Sequence, residues 1–137
     1  VFVTGIDEAW WNRHRGAILE SNTIPENLEA EPLSGHHLFV CVHRERDERC
    51  GRCGPPLVEA FQRSIAASMA TDRIHVHPTS HVGGHRYAAN VLVFPPGDWY
   101  GRVNPDDADA ILEAVESGRP VERLWRGRME ESARGRP

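Results

Sequence analysis

The feature that most constrains the fold is a change of hydrophobic period, made twice in the middle of the chain. Residues 38 to 43, LFVCVH, are an apolar run rich in β-branched and aromatic side chains, preceded by Ser34-Gly35. Such a run predicts a buried strand. After Gly54-Pro55-Pro56, which reads as a break, Leu57, Phe61, Ile65 and Met69 recur every four residues, with Glu59, Gln62 and Arg63 between them. That period predicts an amphipathic helix opened by a proline in its first turn. RIHVH, 73 to 77, then alternates, Ile74 and Val76 against His75 and His77, and predicts a short strand ended by Pro78. Strand, helix, strand at this spacing is a β-α-β unit. Its crossover is right-handed, its two strands are parallel, and the loops after them emerge at one end of the sheet.

Downstream, YAANVLVF (87 to 94), PPGD (95 to 98) and WYGRV (99 to 103) predict two strands joined by a tight connection. Asn104 as N-cap, Pro105 at the first helical position, Asp106 and Asp107 at the positive end, apolar Ile111, Leu112 and Val115, and Gly118 as the stop predict a closing helix. The order β-α-β-β-β-α predicts an α/β protein of thioredoxin-like layout, a central mixed sheet flanked by helices. The first 36 residues read as an extension, with VFVT as an edge strand, DEAWWNRHRGAILES as a helix and TIPENLEAEPLSG as linker. Residues 37 to 128 form the expected domain. Past Trp125 the sequence RGRMEESARGRP is nearly devoid of apolar residues, and a mobile tail is expected, over 129 to 137 in the domain division.

Composition then narrows the function. The chain has 137 residues, 39% of them hydrophobic and 26% charged, which are the proportions of a globular domain with a core of its own. It opens on Val1 rather than Met, which reads as a processed or excised piece of something longer. No apolar run approaches the roughly 18 residues of a membrane span, and no basic-then-apolar leader opens the chain. A cytoplasmic protein without a membrane partner is expected. The net charge of −4 argues against nucleic acid as a partner, since duplex binding rests on a basic surface. All sixteen basic residues are arginine.

Three cysteines, Cys41, Cys50 and Cys53, are the only thiols, and an odd number speaks against a secreted disulfide framework. One other cluster of soft ligands exists, SHVGGH at 80 to 85, with His81 and His85 around Gly83-Gly84. In the β-α-β unit Cys41 ends the first strand, Cys50 lies in the loop after it, and the histidines lie in the loop after the second strand. Both loops share one end of the sheet, so two pairs distant in sequence meet. The pattern C-x8-C followed by H-x3-H suits zinc or a two-iron cluster carrying two histidines. Zinc fingers favour shorter spacings than the 8 and 30 residues found here, and starting from Cys53 still leaves 27 before His81. A two-iron centre tolerates the wide pattern better, because each iron needs only its own pair. Cys50-Gly-Arg-Cys53 is also a CxxC, which opens a thiol-disulfide reading. Against it, a redox CxxC sits at a helix start, and here Gly-Pro-Pro intervenes between the motif and the expected helix. His75 and His77 are explained by alternation in a half-exposed strand, and Trp99 and Tyr100 by packing.

The stretch FVCVHRERDERCG, the run SHVGGHRYAANVLVFPPGDWYGRV followed by a helix, and the late WRGR resemble the sucrase/ferredoxin-like family, over roughly residues 37 to 128. The resemblance implies a thioredoxin-like ferredoxin domain whose 2Fe-2S cluster is held by Cys41, Cys50, His81 and His85. It implies an electron carrier rather than an enzyme, serving a redox partner protein, with homodimerisation also open. Cys53 is left over, and the N-terminal part usual in the family is largely missing. Around the site, His43, Gly51, Gly83 and Gly84 are expected to line or shape it. Arg49 and Arg86, with Arg44, Arg46 and Arg52, are expected to hydrogen-bond to it or to dock an acidic partner. Imidazole ligands in place of thiolates raise the reduction potential, and their outer ring nitrogens couple it to pH.

Overall fold

The computed structural model describes residues 2–3, 8–21, 30–31 and 34–129. The chain divides into two compact units, Val1–Ser34 and Gly35–Pro137. In the first, β1 (Phe2–Val3) pairs antiparallel with β2 (Ala30–Glu31), and α1 (Glu8–Ser21) lies between them in sequence. Trp10 stacks on His14 one helical turn later, with ring centroids 4.5 Å apart. Strand β1 lies within VFVT and helix α1 within DEAWWNRHRGAILES, whereas Ala30–Glu31 is a strand inside the stretch read as linker.

The second unit begins with β3 (His36–Cys41), followed by α2 (Glu48–Ser68) and β4 (Ile74–Thr79), with β3 and β4 parallel as a β-α-β unit requires. β5 (Val91–Phe94) and β6 (Asp98–Tyr100) form the expected hairpin, α3 (Ala108–Ser117) follows, and β7 (Trp125–Arg128) closes the sheet. The strand order is β4-β3-β5-β6-β7, and every pairing except β3 with β4 is antiparallel. Leu38 and Val40 of β3, Val91 and Val93 of β5 and Tyr100 of β6 form one buried cluster with Leu57, Phe61 and Ile65 of α2 and Ile111, Leu112 and Val115 of α3. Of the four-residue period, Leu57, Phe61 and Ile65 are core, whereas Met69 is the left-handed C-cap after the last turn of α2 and is 82% exposed.

In this unit four boundaries differ from the sequence reading, each for a physical reason. Gly54-Pro55-Pro56 does not break the chain. α2 begins at Glu48, because the carboxylate of Asp47 caps the N–H of Arg49, and it runs through both prolines. Pro55 and Pro56 lie on the exposed face, where solvent can satisfy the carbonyls their missing donors leave free. Pro78 does not end β4, because β4 is an edge strand and proline is tolerated there. The strand expected from Tyr87 begins only at Val91, because Tyr87 ends a 3-10 turn (His85–Tyr87) and the Asn90 amide is turned to the Gly84 carbonyl. Finally, Trp125–Arg128 is a strand paired to β6, anchored by the Arg128 guanidinium on both carboxylate oxygens of the buried Asp98 at 2.9 and 3.1 Å and by Trp125 Nε1 on the same carboxylate at 3.0 Å. Past Met129, the tail expected over 129 to 137 lies outside the described residues.

The closing helix follows its signals. The backbone N–H of Asn104 donates to Asp107 Oδ2 at 2.9 Å across a 3-10 turn (Pro105–Asp107), and Gly118 takes the left-handed conformation after the last turn.

Candidate metal centre

Cys41 ends β3 and Cys50 lies in the first turn of α2; both are fully buried. Their thiols are close enough for Cys41 to influence the ionisation of Cys50, and both are free of disulfide. Two glycines make the juxtaposition sterically feasible. A Cβ on Gly54 would lie 2.3 Å from the carbonyl oxygen of Cys41, and one on Gly51 would lie 2.3 to 2.6 Å from the Cα, Cβ and Cγ of Arg44. The helix therefore presses onto the end of β3 at Gly54, and the 42–47 loop wraps it at Gly51. Burial first, then the neighbouring Cys41 thiol, push the Cys50 thiol well up from its ordinary pKa. Without a metal the Cys50 thiol stays protonated, and metal binding would release its proton.

The histidines follow β4. Gly83 (φ 86°) and Gly84 (φ 64°) take left-handed conformations that turn the chain between His81 and His85, whose ring centroids are 5.7 Å apart. Asn90 ties this loop to the cysteine strand: its side-chain amide donates to the carbonyl of Gly84 at 3.0 Å, and its own carbonyl accepts from the N–H of Cys41 at 3.2 Å. A second tie crosses from the helix start. His85 Nε2 lies 3.8 Å from Asp47 Oδ2. The Arg49 guanidinium, bidentate at 2.9 Å on both carboxylate oxygens, holds the Asp47 carboxyl well below the usual range despite the opposing effect of desolvation.

Of the residues expected from sequence, the structure thus pairs Cys41 with Cys50 and His81 with His85, and it brings the two loops together at Asp47 and Asn90. His43 lies in the 42–47 loop, where its carbonyl accepts from the N–H of Asp47 at 3.2 Å. Arg49 is engaged with Asp47, and Arg44 packs against Gly51. Arg86 stacks on Tyr87, its guanidinium carbon 4.9 Å from the ring centroid. Cys53 packs against the hydrophobic core. Because α2 begins at Glu48, the CxxC occupies its first two turns, and the argument that Gly-Pro-Pro separates it from the helix is overturned. Asn90 was missed. Its signal was a fully buried amide in an otherwise apolar run, YAANVLVF. His75 and His77 are half-buried, as alternation predicts; both stack on His37, and His77 Nε2 lies 2.9 Å from His37 Nδ1. Burial first, then His37, lowers the pKa of His77.

Among the described residues, no three His, Cys, Asp or Glu side chains group around a single point. The donors come instead as two pairs, which is the number a two-iron centre takes per iron. The chemistry fits that group: two thiols in a dry site and two imidazoles. His81 Nδ1 is buried with no partner among the described residues, and so is His43 Nδ1. A buried ring nitrogen without a partner is costly unless something binds it.

Solved structures share this fold. A thioredoxin-like 2Fe-2S ferredoxin from Aquifex aeolicus superposes with a TM-score of 0.63 at 28% identity, covering 77% of this chain and 96% of that one. A second structure of a wild-type thioredoxin-like 2Fe-2S ferredoxin from the same organism gives a TM-score of 0.62 at 29% identity, covering 70% and 100%. The fold is thioredoxin-like. Among curated proteins, Altered inheritance of mitochondria protein 32 of Clavispora lusitaniae is 37% identical over 107 residues, and that of Debaryomyces hansenii 40% over 99. These matches cover 75% and 66% of this chain but only 38% and 34% of the relatives' length. The Sucrase/ferredoxin-like profile matches residues 6–127, reaching well upstream of residue 37, where the motifs alone set its start. The chain belongs to the sucrase/ferredoxin-like family.

Proposed function

We propose that the chain is a one-electron carrier whose 2Fe-2S cluster is held by Cys41, Cys50, His81 and His85 and which serves a redox partner protein. The observation that carries the reading is that the loop bearing His81 and His85 is tied to the cysteine end of the sheet, from Gly84 through Asn90 to Cys41 and from His85 to Asp47 at the start of the helix that carries Cys50. When bound, such a cluster takes up and releases a single electron. The chain's own residues supply the rest. Gly54 and Gly51 fix the spacing of the thiols, burial of Cys41 and Cys50 excludes water, and the left-handed Gly83-Gly84 turn lets the backbone approach closely. Arg49 keeps Asp47 ionised beside His85, which favours one orientation of that ring.

The test is direct. The as-purified or reconstituted protein is expected to be red-brown, with visible absorption and stoichiometric iron and acid-labile sulfide. A colourless protein carrying zinc would overturn the reading in favour of a structural zinc module. The potential is expected to lie above the roughly −400 mV of all-thiolate plant-type ferredoxins. Repeating the titration from about pH 6 to about pH 10 tests the proton coupling of the two imidazoles, and a flat potential counts against it.

The thiol-disulfide reading gains from one observation, the position of Cys50-Gly-Arg-Cys53 at the start of α2. It loses on another, because the Cys50 thiol is buried and shifted upward, whereas an attacking cysteine needs an accessible thiolate. Among the described residues no helix is long and apolar enough to cross a membrane. A cytoplasmic location stands beside a mitochondrial one raised by the relatives' printed name. Fractionation of cells carrying the tagged full-length protein separates the two.

A further inference from the structure

Tyr87 closes the 3-10 turn that begins at His85, and three guanidinium groups converge on its ring. The guanidinium carbon of Arg126, from β7, lies 3.7 Å from the ring centroid, that of Arg86 4.9 Å and that of Arg102 5.2 Å. The three arise from separate elements, and the backbone is shaped to collect them. Gly101 has no room for a Cβ, which would lie 2.7 Å from Arg126 Cδ and 3.0 Å from Tyr87 Cβ, so the Arg126 side chain crosses the chain there to reach the ring. Arg102 takes φ 59°, a left-handed conformation unfavourable for a residue with a Cβ, and its N–H donates to the carbonyl of Tyr87 at 2.7 Å. The far end of Arg126 reaches the histidine loop, its Nη1 3.1 Å from where a Cβ of Gly84 would stand.

Among the described residues, none of these three arginines is paired with a carboxylate, although the ion pairs of the chain elsewhere engage Arg49, Arg63, Arg73, Arg123 and Arg128. All three are exposed. The ring face offsets part of their mutual repulsion, but three like charges around one ring leave a field that an anion would neutralise. In a chain of net charge −4 this is a local reversal of sign, set at the edge of the candidate metal centre.

We propose that Arg86, Arg102 and Arg126, gathered around Tyr87 beside the histidine loop, form the docking surface for an acidic protein partner. That the partner is a redox protein rests on the electron-carrier reading; the binding itself does not. Carboxylates of the partner replace the missing counter-charges and bring its own centre to the histidine side of the site, the side that His85 and Arg126 share. Arg49, equally eligible from sequence, already has its counter-charge in Asp47.

The probe is a fluorescently labelled octaglutamate peptide, its binding to the full chain followed by anisotropy at low and at high salt. The Arg102→Gln/Arg126→Gln double variant is expected to bind about tenfold more weakly and with a shallower salt dependence, while Arg63→Gln/Arg73→Gln, on other faces, stays within about twofold of the parent. Arg102→Lys/Arg126→Lys, which keeps the charge, retains most of the binding and guards against a mere folding defect. Equal losses in both glutamine variants overturn the proposal. So does tighter binding of a single-stranded oligonucleotide of the same charge, which would assign the patch to nucleic acid. A dimer in sedimentation that the double variant abolishes overturns it too, in favour of a second copy of the chain. Iron and sulfide analysis of the same preparation reports separately on the electron-carrier reading, so the two can fail independently.

Discussion

The cysteine end and the histidine end of the candidate centre are built on opposite principles. At the cysteine end, strand and helix interlock so closely that two glycines stand where no Cβ fits, and both thiols are fully buried. At the histidine end, the loop turns through Gly83, around which a Cβ would meet nothing within 4 Å, and His85 is exposed. One half is fixed by packing, the other by a few hydrogen bonds. The difference teaches where tolerance lies: the cysteine half should fail by steric conflict and by loss of metal, the histidine half by loosening.

The largest effect expected is on metal content. Cys41→Ser and Cys50→Ser should each abolish iron incorporation, because a buried hydroxyl cannot replace a thiolate in a site with no room to rearrange. His81→Cys should retain a cluster and lower its potential, since the open loop accommodates a shorter ligand and a thiolate adds negative charge. Cys53→Ser should leave the visible spectrum unchanged. Iron and sulfide determination with a redox titration checks all of them. Loss of colour in Cys53→Ser with colour kept in Cys41→Ser would reverse the ligand assignment.

Gly54→Ala sets the two ends against each other without touching a ligand. Its Cβ would fall 2.3 Å from a backbone oxygen, and the strand or helix must move, at a cost of about 3 kcal/mol. Gly83→Ala meets no atom and pays only for its left-handed conformation, about 1 kcal/mol. Urea unfolding of the two variants reads the difference directly. If Gly83→Ala proves the more damaging, the contrast between a packed and an open half is wrong.

Asn90 is the shared tie, and its loss should be intermediate. Asn90→Ala removes the donor to the Gly84 carbonyl and leaves a small cavity in a fully buried position, a destabilisation of about 2 kcal/mol. The Cys41 hydrogen bond uses the backbone of Asn90 and survives. The signature expected is therefore asymmetric. Amide exchange should quicken in residues 81 to 85 and stay slow at Cys41; equal quickening at both would show that Asn90 does not act on the loop in particular.

How much of this was legible in the sequence follows the same division. Apolar periodicity gave β3, α2 and the parallel β4, and with them the end of the sheet where the two ligand pairs meet, because hydrophobic pattern and crossover handedness are local rules. What sequence misjudged depends on contacts between elements. Gly-Pro-Pro reads as a break until Asp47 is seen capping α2 upstream of it. Pro78 reads as a stop until β4 is known to be an edge. The RGR after Trp125 does not read as a strand because its partner, the buried Asp98 on β6, lies 30 residues before Arg128. Asn90 and the arginines around Tyr87 carry no sequence spacing at all; only the fold brings them to the site.

The smallest effect expected lies at the junction of the two halves, in the charge of Asp47. Its carboxyl is held below the usual range, chiefly by the Arg49 hydrogen bonds. A group whose folded pKa is depressed contributes stability that is fully present above its unfolded value, about 3.9, and is lost as the pH falls through the folded one. Asp47→Asn keeps a side-chain oxygen able to cap Arg49 but removes the charge seen by Arg49 and His85. Urea midpoints for parent and variant should therefore differ modestly at pH 7, with the parent the more stable; the gap should begin to close below the unfolded value and vanish only in strong acid, as the pH falls through the depressed folded value. The gap at pH 7 should shrink in high salt, because the pair is near the surface. A gap that persists unchanged in acid would mean that Asp47 acts through its shape as a helix cap, and that the link between the cysteine helix and His85 is steric rather than electrostatic.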